Sequence, residues 1–129
     1  MSLEQKKIMV VKIGSSTLVT GEGKLDTAYL ATLASQISGL RQRGWSPIIV
    51  TSGAVACGLE ALGISTRPSD TPSLQAAASV GTNILVSSYA RAFKAHDMLT
   101  SLVLITRQVT ADREQYLHVR DTLERLLDL

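Results

Sequence analysis

Ile8-Met9-Val10-Val11-Lys12-Ile13 is an apolar run broken by a single lysine, and Gly14 ends it. Its length and β-branched content suit a buried strand better than a helix. A second such run, Pro47-Ile48-Ile49-Val50-Thr51, leads into the tight turn Ser52-Gly53-Ala54. Pro47 stands first in it, where a missing N–H is tolerated. Between the two runs, Asp26 is a good N-cap for a helix. Leu30, Leu33, Ile37 and Leu40 then recur at helical spacing, with Ala34 on the same face. Arg41 and Arg43 suit the negative end of that helix's dipole, and Gly44 suits its C′ position. Strand, helix, strand in this order predicts a parallel pair joined by a crossover helix.

The same alternation continues outward. Val55 to Leu62 predicts a short helix closed by Gly63, and Ser65 to Pro72 predicts a loop. Thr71 as cap and Pro72 at N1 would open a long helix carrying Leu74, Ala77, Ala78, Leu85, Tyr89 and Phe93. Gly81 within it points to close packing against a neighbour. Leu99 to Ile105 predicts a third strand. Asp112 and Gln115 resemble a capping box before a last helical face of Tyr116, Val119, Leu123 and Leu126. The predicted order is β-α-β-α-α-β-α, an α/β fold with a mainly parallel sheet. The final helix has neither a capping glycine nor a strand to return to, the pattern of part of a larger α/β domain.

Composition bounds what such a fold can do. The chain has 129 residues, one domain's worth, and 45% of them are hydrophobic, enough for a core. Aromatics are only 4%, which predicts an aliphatic core and counts against base stacking on nucleic acid. A net charge of +2 is too balanced to imply a nucleic-acid or membrane partner. The single cysteine, Cys57, excludes an internal disulfide and a cysteine-cluster zinc site, and fits a reducing compartment. The start, before Ile8, lacks the apolar stretch of a signal peptide, and no stretch is long and apolar enough to span a bilayer. Met1 to Leu3 read as a cloning remnant.

Ligands of open α/β sheets bind at the carboxyl ends of strands. At the first such end, Lys12 is followed by Gly14-Ser15-Ser16-Thr17. An isolated lysine there ordinarily snorkels to water. A glycine and three hydroxyls beside it equally suit an anion cradle, and both readings stay open. At the second end, Ser52-Gly53-Ala54 enters a helix, whose free N–H groups and dipole attract anions. The ordinary reading makes Ser52 a plain N-cap. Two such turns on one side of a parallel sheet carry more weight than either alone.

Other motifs are weaker. Gly21-Glu22-Gly23-Lys24-Leu25 lacks the spacing of a phosphate-binding P-loop and reads as a turn. Val119-Arg120-Asp121 falls inside a helix, so its likeness to a protein-kinase catalytic loop is accidental. His96 and His118 are too far apart in sequence for a helical metal pair. Cys57 reads as a small apolar residue. Arg113, Glu114, Arg120, Asp121, Glu124 and Arg125 read as a solvated helix face.

The segments Val10-Val11-Lys12-Ile13-Gly14-Ser15-Ser16 and Ile49-Val50-Thr51-Ser52-Gly53-Ala54-Val55-Ala56-Cys57-Gly58 resemble the amino acid kinase family. Gln75-Ala76-Ala77-Ala78-Ser79-Val80-Gly81, Leu104-Ile105-Thr106-Arg107, Asp112 to Leu117 and Arg120 to Leu123 extend the resemblance in order over most of the chain. Within the family it is similar to the branch that phosphorylates the side-chain carboxylate of L-glutamate.

The resemblance implies a three-layer αβα sandwich, of which residues 1–129 would be the N-terminal, glutamate-binding part. The rest of the domain, with a catalytic aspartate and a second lysine, and any PUA domain would lie past Leu129. It implies ATP with Mg²⁺, and glutamyl 5-phosphate as product, the first step of proline biosynthesis. Lys12 would be catalytic and, with Gly14 and Ser15, bind ATP phosphates. Ser52, Gly53 and Ala54 would bind glutamate, and no metal ligand is assigned in this chain. A cytoplasmic homo-oligomer inhibited by proline is the accompanying expectation, with residues 1–129 inactive alone. Another acid kinase of the family, or a non-catalytic α/β anion-binding or subunit-interaction module, are the alternatives.

Overall fold

A computed structural model describes residues 5–129, so Met1 to Leu3 lie outside the described residues. Two strands, β1 (Lys7–Ile13) and β2 (Trp45–Thr51), pair in parallel, from Lys7↔Trp45 to Ile13↔Thr51. The crossover between them holds a single turn, α1 (Ser15–Leu18), and a long helix, α2 (Thr27–Gln42). After β2 come α3 (Ala54–Ala61), α4 (Thr71–Lys94), α5 (Arg107–Ala111) and α6 (Arg113–Asp128).

Alternation along the strands gives the sheet two unlike faces. Val11, Ile13 and Ile49 turn inward onto a core of Leu18, Leu30, Leu33, Ala34, Ile37, Leu85, Tyr89, Phe93 and Met98. On the other face Val10 is 62% exposed and Val50 49% exposed, and Lys12 opposite Val50 is exposed too. Helices therefore cover one face of this sheet, and the first strand is half-buried where full burial was predicted. The core is mainly aliphatic, but not wholly. Tyr89 and Phe93 lie in it with ring centroids 6.0 Å apart.

Local signals placed most element ends. Asp26 Oδ1 accepts from the Tyr29 N–H at 2.9 Å, and Gly44 follows α2 with φ +81°. Arg43 Nε donates to the Gly39 carbonyl at 3.1 Å, satisfying a helix-end acceptor. Asp112 Oδ1 accepts from the Gln115 N–H at 2.9 Å. Gly21 to Leu25 forms a turn closed by the Val19↔Leu25 bridge. Lys6 meets Asp128 in an ion pair, offsetting a carboxylate at the unfavourable end of α6.

Four expectations are corrected. Leu99 to Ile105 forms no ladder among the described residues and leaves Leu99 95% and Leu104 75% exposed. Its apolar content reports strand propensity, but a strand exists only where a partner takes up its hydrogen bonds. Asp70, not Thr71, caps α4, with its Oδ1 accepting from Ser73 N–H at 2.9 Å, because a carboxylate one residue earlier reaches the free N–H. Strand β2 begins two residues before Pro47. The face Tyr116, Val119, Leu123 and Leu126 is present on α6, yet none of α6 is buried among the described residues.

Candidate functional site

Because Ile13 pairs with Thr51, both strands end level, and their turns emerge side by side. The Ser52 N–H and hydroxyl both donate to the Ile13 carbonyl, at 3.1 and 3.3 Å, tying the two turns together. Gly53 then takes φ +105°, a left-handed conformation that a side chain would strain, and caps α3. Ser52 is thus not the N-cap of the ordinary reading. The first helical bond of α3 runs from Cys57 N–H to Gly53 O. The N–H groups of Ala54, Val55 and Ala56 precede it and point out of the helix start.

Helix α4 holds this turn from behind. Tyr89 OH lies 2.9 Å from Thr51 Oγ1 in a hydrogen bond between the two hydroxyls, and burial is the main cause that pushes its phenol pKa up. Further up, α3 and α4 touch backbone to backbone. A Cβ at Gly81 would fall 1.6 Å from Ala54 O, and one at Gly58 would fall 1.7 Å from Ala77 O. The residue pairs 54/58 and 77/81 share the i, i+4 spacing of one helix ridge, so only small residues let the helices meet there.

A cavity of about 370 Å³ opens on this turn, lined by Ser15, the segment 52–56 and Arg67. It gathers Ser15, Ser52, Gly53 and Ala54, four of the six candidate residues. Lys12 and Gly14 do not line it. Lys12 stands on the open sheet face, and Gly14 caps α1 with its carbonyl accepting from Thr17 and Leu18. A Cβ at Gly14 would meet only Ser16 Oγ, at 4.0 Å, so no packing within the protein demands a glycine there. Arg67, absent from the sequence reading, is the one charged residue lining the cavity among the described residues. No local motif marks it; it reaches the turn through the path of the 64–70 loop.

Cys57, His96 and His118 do not line this cavity. Cys57 is 3% exposed, and burial first, then Glu60, raises its thiol pKa. His96 is exposed, and His118 meets Glu114 on the surface of α6. Among the described residues no three His, Cys, Asp or Glu side chains gather closely enough to hold a metal ion. No described helix is long and apolar enough to cross a membrane.

The family profile named "Amino acid kinase family" matches residues 7–129. The chain belongs to the amino acid kinase family. Among its curated relatives, the Glutamate 5-kinase of Burkholderia ambifaria is 46% identical over 128 residues, 98% of this chain and 34% of that protein. That of Azoarcus sp. (strain BH72) is 41% identical over 127 residues, and that of Geobacter sp. (strain M21) 42% over 125. They cover 98% and 97% of this chain. This amino acid kinase chain spans about a third of the length of these relatives.

Proposed function

We propose that this chain forms the glutamate-binding part of a glutamate 5-kinase, which transfers the γ-phosphoryl group of ATP to the side-chain carboxylate of L-glutamate. The observation that carries the reading is the level end of the parallel pair. It sets Ser15 beside the Ser52–Ala54 turn around one cavity, in a chain similar to proteins of that name over almost all its length. The product, glutamyl 5-phosphate, opens proline biosynthesis, and proline inhibition and self-association belong to the same reading. So does a cytoplasmic setting, with one buried, free cysteine in its support.

The chemistry asks little proton transfer of the protein. The nucleophile is a carboxylate, ionised at neutral pH with a pKa near ~4, so no general base is needed. What must be overcome is repulsion between that carboxylate and the phosphoryl oxygens. The free N–H groups at the start of α3 orient the carboxylate in the cavity, on the turn that the Ser52 N–H and hydroxyl tie to the Ile13 carbonyl. Ser15 stands at the boundary between the two substrates. Lys12, outside the cavity, meets the nucleotide phosphates, and its ammonium offsets charge as the P–O bond to ADP breaks. The open space over Gly14 suits backbone approach by a phosphate oxygen. Mg²⁺ travels with the nucleotide.

The test is ADP release by the protein expressed from its complete reading frame, with hydroxylamine present to trap an acyl phosphate as the hydroxamate. Glutamate-dependent ADP release with matching hydroxamate is expected. ATP turnover that is indifferent to glutamate would overturn the reading.

A further inference from the structure

We propose that Arg67 binds the α-carboxylate of the amino-acid substrate, the carboxylate that is not phosphorylated; this rests on the glutamate reading above. Arg67 is exposed and lines the cavity together with Ser15 and the 52–56 segment. Among the described residues it is the only charged one there and makes no ion pair, although Glu22 and Glu60 line an adjoining hollow that it shares. An unpaired guanidinium beside a pocket of free N–H donors is a ready fork for a carboxylate.

Its loop is held at both ends. Gly63 N–H donates to Glu60 O at 3.0 Å and Ile64 N–H to Leu59 O at 2.9 Å, with Gly63 at φ +68°, a full Schellman closure of α3. Asp70 fixes the far end as the cap of α4. Pro68 confines the Arg67 backbone to the extended region. The guanidinium is therefore carried by an ordered stem, and less freedom is lost when it binds.

The geometry also decides which carboxylate it takes. Ser15, on the phosphate side, lines the first cavity only, whereas Arg67 borders both hollows. The reacting carboxylate belongs near Ser15 and the Ser52 turn. The α-carboxylate is left for Arg67.

Calorimetry on the protein from its complete reading frame separates the possibilities, using L-glutamate and 4-aminobutyrate, which is glutamate without its α-carboxylate. Arg67→Ala is expected to weaken L-glutamate about tenfold or more and to leave 4-aminobutyrate within about twofold. Arg67→Lys should recover part of the loss, and ATP affinity should be unchanged in both variants, which reports an intact fold. Equal weakening of both ligands, or no weakening, with ATP binding intact overturns the Arg67 assignment alone. A wild-type protein that binds ATP but neither carboxylate ligand overturns the glutamate reading and this inference with it.

Discussion

Lys12 shows how the setting of a single residue can differ from what its stretch of sequence suggests. It interrupts an apolar run whose composition suits a buried strand. It stands instead on the open face beside Val10 and Val50, where its charge stays solvated. Removing it should therefore leave stability alone and act on catalysis. Lys12→Ala in the protein from its complete reading frame is expected to lower kcat by about a hundredfold or more, a loss of roughly 3 kcal/mol of transition-state stabilisation. Its melting temperature should stay within a degree or two of wild type, about the resolution of the measurement. Steady-state kinetics within a few-fold of wild type would remove Lys12 from the site. Arg67 is the reverse case. Ser52 and Gly53 announce themselves through the strand that precedes them, but Arg67 joins them only through the fold of an irregular loop, and no periodicity records that.

At the scale of elements, what was legible was what is local. Asp26, Gly44 and the Asp112–Gln115 pair act within one turn of chain, and the structure uses each of them as a helix terminus. Leu99 to Ile105 was misread because strand pairing is decided by another segment. Gly81 was legible as a close contact, though not which backbone it meets. Gly81→Ala should force α4 away from Ala54, costing about 1–3 kcal/mol or more in urea unfolding, as overpacked cores do. It should also weaken glutamate binding, because Ala54 belongs to the site turn. An unchanged midpoint would mean the helices do not meet as described. Asp70 offers a pH test. Hydrogen bonds from the Ser73 side chain, then its backbone N–H, hold the Asp70 carboxyl below the ordinary aspartate range. A depressed folded pKa means the unfolded chain takes up the proton first. The contribution is present above the unfolded pKa and is lost as pH falls through the folded one. Asp70→Asn keeps a capping oxygen but cannot titrate, so its melting temperature should fall less than wild type between about pH 5 and about pH 2. Parallel curves would show that the cap carries no pH dependence.

Over the whole molecule, one sheet face packs and the other is open, with Val10, Val50 and the unpaired Leu99 and Leu104 all exposed. Apolar surface and unpaired strand-like chain on one small protein favour association. The 129-residue chain is expected to sediment as more than a monomer at about 100 μM, and Val10→Thr with Val50→Thr should shift it toward monomer. A wild-type chain that stays monomeric would show that this face is not sticky. The parallel register has a further consequence in time. Every ladder pair joins residues 38 apart, as Lys7 and Trp45 are, so that long a loop must close before the first strand bond forms. The α3–α4 contact needs a shorter closure, from Gly58 to Ala77. Trp45 is the one tryptophan and sits at the start of β2, so its fluorescence reports the sheet while far-ultraviolet dichroism reports the helices. In stopped-flow refolding the helical signal is expected to recover before the indole signal, and coincident phases would contradict that order. The cavity at the strand ends would then be the last part of the protein to come into being, and a chain still refolding would have helices but nowhere to hold a substrate.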